Sequence, residues 1–242
     1  MTIRGTRFTM RGLAHCATTQ GNRMSLGEAA VGFLVAIVAA TACRAGELTV
    51  SVIDPSGHGV IDVVVVVAPA ESATPHATPA SAVRIMDQRD RTFSPRILVV
   101  GVGTSVEFPN NDTVSHQVYS FSPAKKFQLP LYKGQLHPPV TFDRSGLVVL
   151  GCNIHDQMVG YIYVTDAPFF GKTDPAGTVR LAGLSGGEYL ITVWSPFIAD
   201  QASSLTRTVR VDAQEPTSSR VQLLDTLRAR PEPRPQRADW EY

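Results

Sequence analysis

The chain has 242 residues, a formal net charge of +1 and only 18% charged residues. That is length for one large or two small domains, and it excludes a nucleic-acid binder, which would carry a basic stripe or patch. Gly and Pro occur 19 and 17 times, and the apolar runs are short and rich in Val, the composition of a loop-rich all-β chain.

Residues 1–45 read as a signal peptide. Arg4, Arg7, Arg11 and Arg23 supply positive charge, and residues 29–42 (AAVGFLVAIVAATA) form a continuous apolar run. Small residues follow, so cleavage is expected after Ala42 or Ala45. The run is shorter than the ~20 apolar residues of a transmembrane helix. No second run of that length follows, so the mature chain is expected in the periplasm without a membrane span. Met24 is an alternative start. Cys43 lacks the Leu three residues before it that a lipid-anchor cleavage box carries. With Cys16 and Cys43 in or beside the signal, Cys152 is the lone cysteine of the expected mature chain and has no internal disulfide partner. It is then a buried thiol, a nucleophile or a metal ligand.

Residues 46–68 predict two strands (ELTVSVID, then VIDVVVVVA) around the turn Pro55-Ser56-Gly57-His58-Gly59. Residues 69–82 are rich in Ala, Pro, Ser and Thr and read as a linker or long loop. Residues 83–165 hold a succession of strand signals, RILVV, SVEF, HQVYSF, PVTF, LVVLG and GYIYV, separated by Gly and Asn-Asp turns. That spacing predicts a β-sandwich or barrel. Residues 166–224 add GTVRLAGL, EYLITVW and TRTVRVD. The Pro- and Arg-rich residues 225–242 read as a disordered tail.

The string Gly151-Cys152-Asn153-Ile154-His155-Asp156-Gln157-Met158 falls between two predicted strands. A strand-to-strand loop presents Cys, His and Met to one point. His116, 36 residues before Cys152, follows the turn NNDTVS and can reach the same end of a sandwich. Two imidazoles, a thiolate and a weak thioether are the ligand set of a blue-copper electron-transfer site. Zinc prefers four strong ligands, and Met is a poor one. A cysteine nucleophile needs something to lower its pKa, and no helix N-terminus is evident beside Cys152. No paired carboxylates are set for acid–base work, so the chain is read as a non-enzyme. A multicopper oxidase needs several His-x-His pairs, and the sequence has none.

These motifs resemble the cupredoxin superfamily, and Cys152-x-x-His155-x-x-Met158 is similar to the short ligand loop of its amicyanin-like members. Phe93-Ser94-Pro95, Val99, Gly103, Val106-Glu107-Phe108, Asn110, Asp112 and His116 follow the family's order upstream. The stretch is also similar to bacterial proteins described as plastocyanin-like or methylamine utilisation proteins. The resemblance covers residues 83–165. It implies a Greek-key β-sandwich holding one type 1 copper on His116, Cys152, His155 and Met158, and a role in electron transfer with a redox partner protein. Copper storage, delivery or sensing without turnover is the alternative. Two positions depart from the family: Gln117 stands where Asn usually follows the first His ligand, and Asp156 stands where many relatives have Pro. The flanking segments resemble the halves of an Ig-like, carboxypeptidase-regulatory-like β-sandwich, into which residues 83–165 would be inserted at a loop tip.

The remaining residues have plainer readings. His58, His76 and His137 read as solvated loop histidines. Lys125, Lys126 and Lys133 are either a solvated face or a basic rim for an acidic partner. Val114, Ile154 and Val159 could ring the exposed edge of His155 as a small docking patch, with the protein a monomer. Tyr189 and Trp194 are expected in the core of the second sandwich.

Overall fold

The computed structural model describes residues 46–71, 83–134, 137–198 and 205–224. The signal peptide, residues 72–82 of the linker and the tail beyond residue 224 lie outside the described residues. Among the described residues every regular element is a strand, and no helix is long and apolar enough to cross a membrane.

The strands are β1 (Gly46–Ile53), β2 (Val64–Pro69), β3 (Arg84–Ile85), β4 (Asp87–Arg89), β5 (Thr92–Ser94), β6 (Ile97–Gly101), β7 (Thr104–Glu107), β8 (His116–Ser120) and β9 (Phe127–Tyr132). They continue with β10 (Val140–Phe142), β11 (Gly146–Gly151), β12 (Val159–Thr165), β13 (Phe169–Lys172), β14 (Thr178–Leu184), β15 (Gly187–Trp194), β16 (Leu205–Val211) and β17 (Thr217–Gln222). Two sandwiches result. In one, the sheet β14-β1-β17 faces β13-β2-β15-β16; in the other, β10-β7-β3 faces β6-β12-β11-β8-β9. β4 and β5 form a separate hairpin.

The first sandwich draws strands from both sides of the second. β2 pairs antiparallel with β15, Val65 opposite Val193, and β1 pairs with β14 and β17. β1 alternates buried and half-buried residues, as a strand with one core face should. β2 does not alternate, and its geometry explains the Val run. Val63, Val65 and Val67 fill the core of their own sandwich with Leu48, Val50, Ile191 and Val193. Val64 and Val66 point the other way, onto Ile97 and Val99 of β6. A strand buried on both faces needs continuous apolar residues.

This junction between the sandwiches also holds Phe170, Phe197, Tyr161, Tyr163 and Trp194. The Trp194 ring lies 5.9 Å from Tyr161 and 5.4 Å from Tyr163. Tyr189 sits in the core of the sandwich containing β1, as expected. Trp194 does not: at the end of β15 it points out of that core and onto the outer face of β12. The alternation of β15 dictates this, because Tyr189, Ile191 and Val193 take the inner face.

Candidate metal centre

The register of three strands brings the site together. β11 and β12 are antiparallel, and Gly151 opposite Val159 is their last pair. Residues 152–158 are therefore the loop of a hairpin. β8 runs antiparallel to β11 with Tyr119 opposite Gly151. Three residues back along β8, His116 is level with the start of that loop. Glycine at 151 leaves room for the Tyr119 ring, since a Cβ there would lie 2.7 Å from it and would push the ring aside. Within the loop, the Met158 N–H donates to the His155 carbonyl at 2.9 Å, closing a tight turn.

The side chains of His116, Cys152 and His155 converge, with one ligand atom from each lying within 4.8 Å of the others. The two Nδ1 atoms are 3.1 Å apart, and Cys152 Sγ is 3.9 Å from His116 Nδ1 and 3.6 Å from His155 Nδ1. The two rings meet edge to face. His116 is fully buried, Cys152 nearly so, and His155 is half-buried with one edge toward solvent. Met158 is buried in the core cluster that includes Cys152.

The environment sets the charge of each group. Burial pushes the Cys152 thiol up, but His116 and the backbone N–H groups of Gln117 and Ile154 outweigh it and hold the thiol below its usual range. Burial pushes His116 down, and hydrogen bonds with Cys152 and Asp112 more than offset that. His155 is lowered by burial and by the neighbouring His116. Asp112 accepts a hydrogen bond from His116 Nε2 at 2.8 Å and is nearly buried. Burial pushes its carboxyl up, but the Arg91 N–H, His116 and the Thr113 N–H hold it at about 2.

The donor set fits a single soft-to-borderline ion. Separations of 3.1–3.9 Å are those imposed when one ion bonds to each donor at about 2.0–2.3 Å. Two imidazole nitrogens and one thiolate are the trigonal set that copper takes in electron-transfer proteins.

The other singled-out residues fall elsewhere. His58 is exposed and pairs with Asp54 at 3.6 Å, and His76 lies outside the described residues. His137 differs from its reading as a solvated loop residue. Its ring packs edge-on against Tyr132 at 4.6 Å, and its Nε2 is buried without a hydrogen-bond partner. Lys125 pairs with Asp143 at 3.2 Å and Lys133 donates to the Thr113 carbonyl. Ile154 is exposed, while Val114 and Val159 are half-buried.

Sequence reasoning did not see the polar support beneath His116. Gln88 is fully buried. Its Nε2 donates to the Pro109 carbonyl at 3.1 Å and to the Tyr132 hydroxyl, which donates in turn to the Phe108 carbonyl at 2.5 Å. Asn110 Nδ2 donates to the carbonyls of Val114 and Tyr132. Asn110 and Asp112 were readable only as positions before His116, and their spacing looks like ordinary turn chemistry.

No family model and no curated protein matches the chain. Among solved structures, the chain is similar to a purple cupredoxin from Nitrosopumilus maritimus at 26% identity, over 35% of this chain and 100% of that one, with a TM-score of 0.30. It is similar to a reduced amicyanin variant at 23% identity, over 41% of this chain and 99% of that one, with a TM-score of 0.32. It also matches a Cu-containing nitrite reductase from Thermus scotoductus SA-01 at 28% identity, over 38% of this chain but only 25% of that one, with a TM-score of 0.33.

Proposed function

We propose that the chain is an exported, periplasmic single-copper protein of the type 1 class that carries electrons to or from a partner protein. The observation behind this reading is the meeting of His116 Nδ1, His155 Nδ1 and Cys152 Sγ within 4.8 Å at one end of a β-sandwich. Copper bound there would supply a one-electron Cu(I)/Cu(II) couple. Cys152 would be the main donor, held by the N–H groups of Gln117 and Ile154. His116 and His155 would hold the ion with it, and Met158, buried beside Cys152 in the same core cluster, would be a fourth, weaker donor. The half-buried edge of His155, beside the exposed Ile154, is where a partner would approach. Export rests on the basic and apolar pattern of residues 1–45, and the non-enzymatic role on the want of a substrate-activating constellation in the sequence.

Purified full-length protein titrated with Cu(II) is expected to turn blue or purple, with an intense visible thiolate-to-copper band, and to show a reversible one-electron wave. A protein that binds copper yet stays colourless sinks the type 1 assignment. A coloured protein without a reversible wave favours the storage or delivery alternative.

A further inference from the structure

The β4–β5 hairpin bears on the metal centre without supplying a ligand. Its two-residue turn, Asp90–Arg91, holds both residues in the left-handed region, at φ 49° and 55°. This is the pattern of a type I′ turn. Asn-Gly is the usual occupant, and here two residues with side chains are held there. Backbone conformations of this kind persist where surrounding structure over-determines them, and they cluster at functional sites.

The turn delivers the Arg91 N–H to the carboxylate of Asp112. Arg91 N donates to Asp112 Oδ2 at 2.7 Å, and the same oxygen accepts from His116 Nε2 at 2.8 Å. The other carboxylate oxygen accepts from Thr113 N at 2.6 Å and Thr113 Oγ1 at 3.3 Å. The Asp112 N–H donates to Asn110 Oδ1 at 3.0 Å, which holds the turn that carries the carboxylate. Asp112 is thus clamped from two separate segments, and its free direction is aimed at one ring nitrogen of a fully buried histidine.

A carboxylate only accepts hydrogen bonds. In the neutral imidazole the proton of His116 is therefore placed on Nε2, and Nδ1 is left with its lone pair facing Cys152 and His155. We infer that Asp112, locked by the Arg91 turn, is the positioning residue of the metal centre: it sets the His116 tautomer and lends negative charge to that ligand. This inference rests on the copper reading above for its redox consequence, but not for the tautomer. Among the described residues the His155 ring meets His116 and Cys152 and accepts no carboxylate partner, so the two histidines are unequal ligands. His116 is the fixed, electron-rich one. Charge pushed onto its Nδ1 favours the more positive metal state, so removing it raises the reduction potential.

The test uses the full chain, Cu(I) and Cu(II) as probes, and Asp112→Ala with Asp112→Asn. Asn keeps the side chain's volume and an acceptor for Arg91 N, and covers the case in which alanine loosens the loop. Nitrogen-15 NMR of the metal-free protein, at alkaline pH where imidazole is neutral, is expected to show His116 wholly as the Nε2–H tautomer. In D112A it becomes a mixture. Copper affinity is expected to fall about 10- to 100-fold in D112A, and the potential to rise in both variants. Wild-type protein that takes no copper overturns the proposed function, and the tautomer then decides this inference by itself. Wild-type protein that turns blue while both variants keep its affinity, potential and tautomer overturns this inference alone.

Discussion

The sandwich containing β1 is filled by Leu48, Val50, Val52, Val65, Leu184, Ile191 and their neighbours, and among the described residues the polar groups buried there are the hydroxyls of Thr173, Ser195 and Ser219. The sandwich containing β8 packs Phe93, Phe142, Leu150 and Ile162, yet it also buries Asp87, Gln88, Asn110, His116 and Cys152. Both are two-sheet structures with a core packed between the sheets. The difference shows where the free energy goes. An aliphatic core needs only volume and shape, whereas a buried polar group costs free energy unless it finds hydrogen-bond partners. In the second case those partners come from distant segments: residue 88 bonds to 109 and 132, residue 91 to 112, and residue 116 to 155. One sandwich is scaffold, and the other has been wired.

The largest expected effect falls wholly on the wired side. Cys152→Ser should remove the visible band of the copper-loaded protein altogether, because a hydroxyl cannot replace the soft, covalent thiolate. Far-ultraviolet circular dichroism should be unchanged. If the band survives, the colour does not come from Cys152, and the contrast between the two regions collapses.

The junction tests whether the two regions are separate at all. Trp194→Ala removes the ring that packs on Tyr161 and Tyr163 and should destabilise the protein by about 3–5 kcal/mol. Calorimetry of the variant is expected to split one unfolding transition into two. A single transition shifted down as a whole would mean that the sandwiches stay coupled through the remaining contacts.

Leu48→Ala sharpens the comparison from the scaffold side. Urea unfolding should show a loss of about 2–5 kcal/mol, with copper affinity at the wild-type value. Gln88→Leu should cost less, about 1–3 kcal/mol, by leaving the Pro109 carbonyl and the Tyr132 hydroxyl without its amide. Unlike Leu48→Ala, it is expected to lower copper affinity as well, because Tyr132 lies opposite His116 in the β8–β9 register.

The smallest effect appears at high pH. Burial pushes the Tyr132 phenol up to about 12 from an ordinary value of 10.0. The neutral phenol is thus favoured in the folded state, and its contribution is fully present below pH 10. Above that, the unfolded chain loses the proton first, so stability falls as pH rises from 10 toward 12. Urea midpoints across this window should decline less in Tyr132→Phe than in the wild type. Equal slopes would show that the phenol is not the group responsible.

Much of this was legible in the sequence, for local reasons. Alternation in GELTVSVI predicted a half-buried strand, and β1 is one. His116, Cys152 and His155 were readable as ligands because their residue types and loop spacing admit few other chemistries, and the structure brings the three together. The Val run at 63–67 was readable as a strand but not as one buried on both faces. Periodicity cannot show what lies against an outer face, and Ile97 and Val99 come from a different part of the chain. Trp194 was misplaced for the same reason. Strand β9 was not anticipated, since FQLPLY carries a proline that suits an edge strand.

By itself, then, the sequence determined the all-β class, most of the strands and the identity of three converging donors. Backbone pattern and side-chain chemistry are properties of neighbouring residues. Only the tertiary structure decided which histidine is pinned and by what. Asp112 meets Arg91 across 21 residues, and Gln88 meets Tyr132 across 44. Hydrogen bonds at that separation depend on the registers of β4 with β5 and of β8 with β9 and β11, and a one-residue slip in any of them would turn those side chains to the opposite face.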